Sequence, residues 1–444
     1  MKSGARGWTG AAGVALLAAI GAHWLAHREK PADATTPAPL ATPFGITLQL
    51  RTVAGRARRA ANPPVYADAN SMTLYFFDED KPFGKSKCSG ECAAMWPPAV
   101  ARKDATAGGD WSLAARADGT KQWAYRGAPL YRFAHDEAVG DAKGDSTPGW
   151  HVAVFHPEAG MALPDAIQVR EITDAGGAGL VDSLGMTLYA LDGSAAHSVP
   201  SCAGGDDCAR HWAPLEAPQI ANATGDFSVI AHDDGITQWA YRHKPLYKFD
   251  GDQRAGDANG IGIDARFRVA LVVRYFMPVD AMIRHSAELG TILTTQGGAT
   301  LYERDRPASD EIHIFRESHG PPALGRSFGT ATCDERCARS WPPFTAPADA
   351  LPCGYWDIAK RADGRRQWAY KGYALYTYAS ERPGEIRGNG IYDLAQVSDG
   401  ARALAEGGAT PTTSPVAGAD PFVPAGGDVA GIGVGALFWH AVVP

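Results

Sequence analysis

Six of the seven cysteines fall in three short pairs: Cys88 with Cys92, Cys202 with Cys208, and Cys333 with Cys337. Thiols at such spacing can close into local disulfides, or stand open as a redox or copper-binding dithiol. Extended chain holds residues four apart at roughly 13 Å, beyond bridging range, so a bond demands a turn. Gly90 in "CSGEC" and Gly204-Gly205 in "CAGGDDC" permit one. A catalytic dithiol would be intolerant of spacing, yet the second pair is wider than the other two, so structural disulfides are the simpler reading. No Cys-x-x-Cys-His occurs, which argues against covalent haem, and no pair has the second Cys or His pair of a structural zinc site. Cys353 is left over, either as a buried inert thiol or as an intermolecular or resolving one.

A second constellation is acidic. "DEAVGDAKGDSTPG" (136–149) and "DQRAGDANGIGID" (252–264) alternate acids with glycines, so Asp141, Asp145, Asp257, Asn259 and Asp264 are candidate calcium ligands. The match is incomplete, because Lys143 and Ile261 stand where oxygen ligands would help. The competing reading is a solvated turn whose aspartates cap backbone amides. The 13 histidines form no His-Glu-x-x-His; His211, three residues after Cys208, would matter if copper bound. No nucleophile elbow, phosphate-cradling loop or catalytic triad can be argued, so the chain leans away from an enzyme. With 49 acids against 42 bases and no dominant block, no nucleic-acid partner stands out; the short basic run at 56–60 is the one exception.

These residues are positioned by a repeat. "MTLYFFDED", "MTLYALDGS" and "ATLYERDRP" place Tyr189 114 residues after Tyr75, and Tyr302 a further 113 on. A domain-sized unit thus occurs three times. Each contains a Cys pair, a Trp and Pro, an Asp-Gly, an aromatic dodecamer ("QWAYRGAPLYRF", "QWAYRHKPLYKF", "QWAYKGYALYTY"), an acidic Gly-rich loop and a closing apolar strand, the last being "WHVAVF", "FRVALVV" or "YDLAQV". Asp118-Gly119, Asp234-Gly235 and Asp363-Gly364 predict tight hairpin turns. Trp123, Trp239 and Trp368 read as core, since large aromatics bury so much area. Ahead of each unit a hairpin is expected, with "ITLQLRTV" supplying it for the first. Each unit also looks doubled, because Tyr75 and Tyr131 both begin a Tyr-x-Phe-x-x-Asp string.

Those strings carry a resemblance. Tyr75, Phe77 and Asp80, then Tyr131, Phe133 and Asp136, then Tyr247, Phe249 and Asp252, together with "WAYRGAPLY" and "CSGECAAMWPP", resemble the secreted repeat family of predicted bacterial lipoproteins with a Tyr-x-(Phe/Trp/Tyr)-x-x-Asp motif. Its function is unassigned. The resemblance implies an extracytoplasmic location and a repeat fold; it implies no reaction. Departures occur at Leu191 and Ser194, at Arg304 and Pro307, and at Tyr378 with Glu381. No cysteine precedes Cys88, so lipid attachment does not carry over.

The fold class expected is all-β: a tandem of about three β-meander domains of roughly six strands each, sandwich-like or blade-like. Residues 1–30 read as a signal peptide or signal anchor, 31–43 as a linker, 44–160, 161–275 and 276–400 as the units, and 401–444 as a linker and terminal strand. The function expected is a non-catalytic extracytoplasmic repeat protein of the cell envelope, presenting loops to a ligand or partner. Envelope redox or copper handling, and calcium-dependent adhesion or glycan binding, are the alternatives.

Overall fold

The computed structural model describes residues 37–49, 63–192, 202, 208–305, 333, 335, 337–393 and 437–444. The signal or anchor segment, the basic run at 56–60, Ser194 and Pro307 lie outside the described residues. The chain is nearly all β, in small open sandwich-like sheets with no barrel among the described residues.

Each unit begins with the expected hairpin. Ile46–Gln49 pairs with Val65–Asp68, Ile167–Ile172 with Gly177–Asp182, and Ala281–Ser286 with Gly290–Thr295. A second hairpin carries the tryptophans: Trp111–Ala115 with Lys121–Tyr125, Phe227–Ala231 with Thr237–Tyr241, and Trp356–Lys360 with Arg366–Tyr370. Its register sets Leu113, Val229 and Ile358 opposite Trp123, Trp239 and Trp368. A following turn has positive φ at both central residues, Arg126-Gly127, Arg242-His243 and Lys371-Gly372, the geometry whose twist matches two antiparallel strands. His243 adopts it without being glycine.

Short helical turns carry the second cysteine of each pair, at Glu91–Met95, Cys208–His211 and Cys337–Ser340. The strand opening each motif pairs with the closing strand of its unit: Tyr75–Phe77 with Trp150–Val152, and Tyr189–Leu191 with Phe267–Val269. In the third unit the closing position is corrected. Tyr302–Asp305 pairs with Leu437–Ala441, while Ile391–Asp393, which runs into "YDLAQV", lies on that strand's other edge. Trp439 explains the choice, because it supplies the ring that the core needs there, as Trp150 and Phe267 do in the other units.

The units are not beads on a string. Trp111, Trp123 and Tyr125 of the first share one apolar cluster with Trp356, Trp368 and Tyr370 of the third. The second unit has its own cluster around Trp239, Phe227 and Leu246. Tyr275 joins the groups, meeting Tyr355 at 5.0 Å and Phe155 at 6.3 Å.

The segment read as linker, 31–43, is packed from residue 38 onward. Ala41 and Thr42 are buried. Ala41 N–H donates to Arg274 O at 2.9 Å, and its carbonyl accepts from Trp111 Nε1 at 3.1 Å. Thr42 touches Cys353, whose thiol donates to the Thr42 carbonyl at 3.3 Å. Apolar burial and these bonds outweigh the Pro-Ala composition that reads as flexible. Among the described residues Cys353 is the free cysteine, and its burial pushes the thiol up to about 12.

Candidate functional site

The two motif tyrosines of each unit are direct cross-strand partners: Tyr75 with Tyr131, Tyr189 with Tyr247, and Tyr302 with Tyr376. Their acids are exchanged. Tyr75 donates its hydroxyl to Asp136, five residues beyond Tyr131, at 2.6 Å; Tyr131 donates to Asp80, five residues beyond Tyr75, at 2.5 Å. Tyr189 donates to Asp252 at 2.8 Å, and Tyr302 to Glu381. Each carboxylate also accepts a loop amide: from Lys143 at 3.0 Å, Lys87 at 2.7 Å, Asn259 at 2.7 Å and Arg387 at 2.8 Å. Burial, foremost, pushes the Tyr75, Tyr131, Tyr189 and Tyr302 hydroxyls well above their ordinary range. It also raises Asp136 and Asp252, against the bonds that pull them down.

The motif's second aromatic residue caps a column of rings. In unit one Phe77 stacks on Trp150 at 4.4 Å, Trp150 on Trp96 at 3.8 Å, and Trp96 on Phe133 at 4.4 Å. Unit two runs Phe267, Trp212, Phe249, at 3.8 and 4.7 Å. Unit three runs Trp439, Trp341, Tyr378, at 3.8 and 4.5 Å. Arg304 takes the place of Phe77 there, its guanidinium 5.4 Å from the Trp439 ring.

The glutamine opening each dodecamer is wholly buried. Gln122, Gln238 and Gln367 donate to Leu130, Leu246 and Leu375 carbonyls, and accept from Arg116, His232 and Arg361. Arg116 and Arg361 reach on to the carbonyls of Cys88 and Cys333. The cysteine loops are thereby tied to the Trp hairpins. Cys88–Cys92 and Cys333–Cys337 are disulfides, and Cys202 is disulfide-bonded too.

The calcium candidates do not converge. Asp141 accepts amides from Glu137 and Ala138, and pairs with Lys143 at 3.0 Å. Asp257 accepts amides from Gln253 and Arg254, Asp145 accepts from Val152, and Asp264 pairs with Arg266 at 2.7 Å. Asn259 donates to Gly251 O at 3.0 Å. Among the described residues no group of three or more His, Cys, Asp or Glu is placed to hold a metal ion. The glycines of these loops serve the core instead. A Cβ at Gly144, Gly260 or Gly388 would lie within 2.9 Å of Trp96, Trp212 or Trp341, and the amides of Gly260 and Gly388 donate to Tyr189 and Tyr302 oxygens at 3.1 Å.

What differs between units lies beside the column. In unit two a cleft of ≈ 300 Å³ is lined by Met186, Arg210, His211, Lys248, Phe249 and Asp250, among others. His211 Nδ1 donates to Asp250 at 2.8 Å, with both side chains more than half exposed. One backbone bond fixes this place in every unit: Asp250 N–H to His211 O, Ala134 to Met95, and Ala379 to Ser340. Sequence reasoning singled out His211 only through its distance from Cys208. Its alignment with Met95 and Ser340, each just before the Trp of "HWAP", "MWPP" and "SWPP", was the signal for the rest.

A family profile described as a secreted repeat of unknown function matches residues 64–100, 112–154, 228–269 and 357–397. The chain thus carries four segments of this repeat family. The matches cover both halves of unit one and the second halves of units two and three; the opening motifs with Leu191 and Arg304 are passed over. No curated protein and no solved structure matches the chain. Among the described residues no helix is long and apolar enough to cross a membrane.

Proposed function

We propose that the chain is a non-catalytic scaffold of the cell envelope, periplasmic or secreted, that presents one chemically distinct cleft per unit to an envelope ligand. The observation that supports this is the fixed place beside each column. It holds an exposed Met95 in unit one, the His211–Asp250 pair in unit two, and Ser340 with Ala379 in unit three. A constant frame with a changing lining suits recognition, whereas a repeated catalytic site would repeat its reactive residues. The closed disulfides at 88–92 and 333–337 favour staples over working dithiols.

The unit-two cleft fits a glycan. Half-buried Phe249 offers a ring face for a sugar, and Arg210, His211, Lys248, Asp250 and Asp252 set hydrogen-bonding groups of both charges around it. Purified peptidoglycan sacculi are the probe, with co-sedimentation of the full chain as the readout. Wild type is expected to bind, and the combined Arg210→Ala, His211→Ala, Lys248→Ala variant to bind roughly tenfold or more weakly, the loss of about 1.4 kcal/mol or more, with an unchanged melting temperature. Absence of wild-type binding, or equal binding by the variant, would overturn the reading.

A further inference from the structure

In unit one two stacked tryptophans lie between two tyrosines that each give their hydroxyl hydrogen to a carboxylate. Trp96 and Trp150 are face to face at 3.8 Å, Tyr75 meets Trp96 edge-on at 5.4 Å, and Tyr131 meets Trp150 at 5.2 Å. The phenol oxygens stand 2.6 and 2.5 Å from Asp136 and Asp80. Unit three repeats half of this, with Trp341 on Trp439 at 3.8 Å and Tyr302 at 5.4 Å from Trp341, bonded to Glu381. Packing alone asks only that a buried phenol find an acceptor, and a neutral carbonyl supplies one without burying a charge. A carboxylate differs in one property: it is a base, able to take the phenol proton when the ring loses an electron.

We propose that these cores are sinks for one-electron oxidation, in which the tryptophan pair passes an electron hole to a tyrosine whose proton moves to its paired carboxylate. A one-electron oxidant of the carbonate-radical class removes an electron from the Trp pair and is itself reduced. Tyr75 or Tyr131 then returns an electron to the Trp cation radical; its O–H bond breaks as a new O–H bond forms on Asp136 or Asp80. The products are a neutral tyrosyl radical, a neutral carboxylic acid and restored tryptophans. A one-electron donor of the ascorbate class later reduces the radical, and the proton returns to the phenol oxygen. Stacking assists the first loss, because the positive charge spreads over both indoles. The ring contacts leave no gap for the hole to cross.

Unit two supplies a comparison within the same chain. Tyr189 donates to Asp252 and meets Trp212 edge-on at 5.0 Å, whereas Tyr247 accepts from the Cys202 amide at 3.2 Å and meets Phe267 edge-on at 5.2 Å. Phe267, far harder to oxidise, replaces the second tryptophan. The account therefore assigns a radical to Tyr189 and none to Tyr247.

The test is flash photo-oxidation of the full, disulfide-intact chain by tris(bipyridine)ruthenium with a sacrificial electron acceptor, read by transient absorption and by electron paramagnetic resonance of frozen samples. Wild type is expected to give a neutral tyrosyl signal. The Asp80→Asn, Asp136→Asn variant loses the unit-one share of it and accumulates tryptophan radical instead, and the matching Glu variant restores it, as Glu381 serves natively in unit three. A purely structural role would leave the signal unmoved by Asn in a chain that still folds. Should the Asn variant fail to fold, Tyr189→Phe and Tyr247→Phe decide: the first must lower the signal and the second leave it intact. Equal losses from both, or a wild-type chain giving only tryptophan radical, would overturn the proposal.

Discussion

Tyr75 and Asp136 depend on each other more than their distance in sequence suggests. Removing the hydroxyl in Tyr75→Phe leaves a buried carboxylate oxygen without its donor, a cost of about 1–3 kcal/mol. Because the groups touch, Tyr75→Phe and Asp136→Asn are expected to couple in a double-mutant cycle by about 0.5–3 kcal/mol, measured by urea unfolding; additive losses would contradict the pairing. The same carboxyls set a pH dependence. Burial raises Asp252 above its ordinary 3.8, so the folded chain holds that proton more tightly than the unfolded chain does. Its contribution is fully present below 3.8 and is lost as pH rises through the folded value. Wild type is therefore expected to lose stability relative to Asp252→Asn as pH climbs through that window, then to run parallel to it. Urea midpoints at successive pH values check the sign.

At the scale of elements, the acidic Gly-rich loop shows what sequence could and could not say. Its composition suggested cation ligands, because alternating Asp and Gly is common to calcium loops and to amide-capping turns. Only the fold reveals that Asp141 and Asp257 cap amides of their own turns and that Gly260 presses against Trp212 and Tyr189. Gly260→Ala would set a Cβ 2.8 Å from one ring and 2.9 Å from the other. It is expected to cost about 1–3 kcal/mol through overpacking, seen as a lowered thermal midpoint, with Gly108→Ala, whose Cβ meets open space and whose φ is likewise not positive, as a comparison for backbone effects. The Asp-Gly hairpins and the leading hairpin of each unit were legible, since local rules and the repeat specify them. The exchange of acids between motifs was not, because it depends on which strand lies beside which. The closing strand of unit three was open between two candidates in the sequence: "YDLAQV" is adjacent, and the terminal "LFWHAVVP" carries the Trp439 that the column requires.

For the whole molecule, three similar copies suggest three independent domains, and the tandem reading holds for the repeat but not for the cores. Self-similarity reveals a unit; it carries no information on whether the outer faces of two units meet. Here the Trp hairpins of units one and three share a cluster with Tyr66, Leu293 and Val442, while unit two keeps its own. The residues at 38–43 bind this arrangement together through Arg274, Trp111 and Cys353. A single frame of this kind holds the places beside the first and third columns in fixed relation, which is the basis for reading the chain as a scaffold. Hydrogen exchange of the full chain carrying Gly388→Ala, in which a Cβ would meet Trp341 and Tyr302 of unit three, tests that frame most directly. The account predicts that protection falls together in Trp356–Lys360 of unit three and Trp111–Ala115 of unit one, with Phe227–Ala231 of unit two unaffected; loss confined to unit three would contradict it.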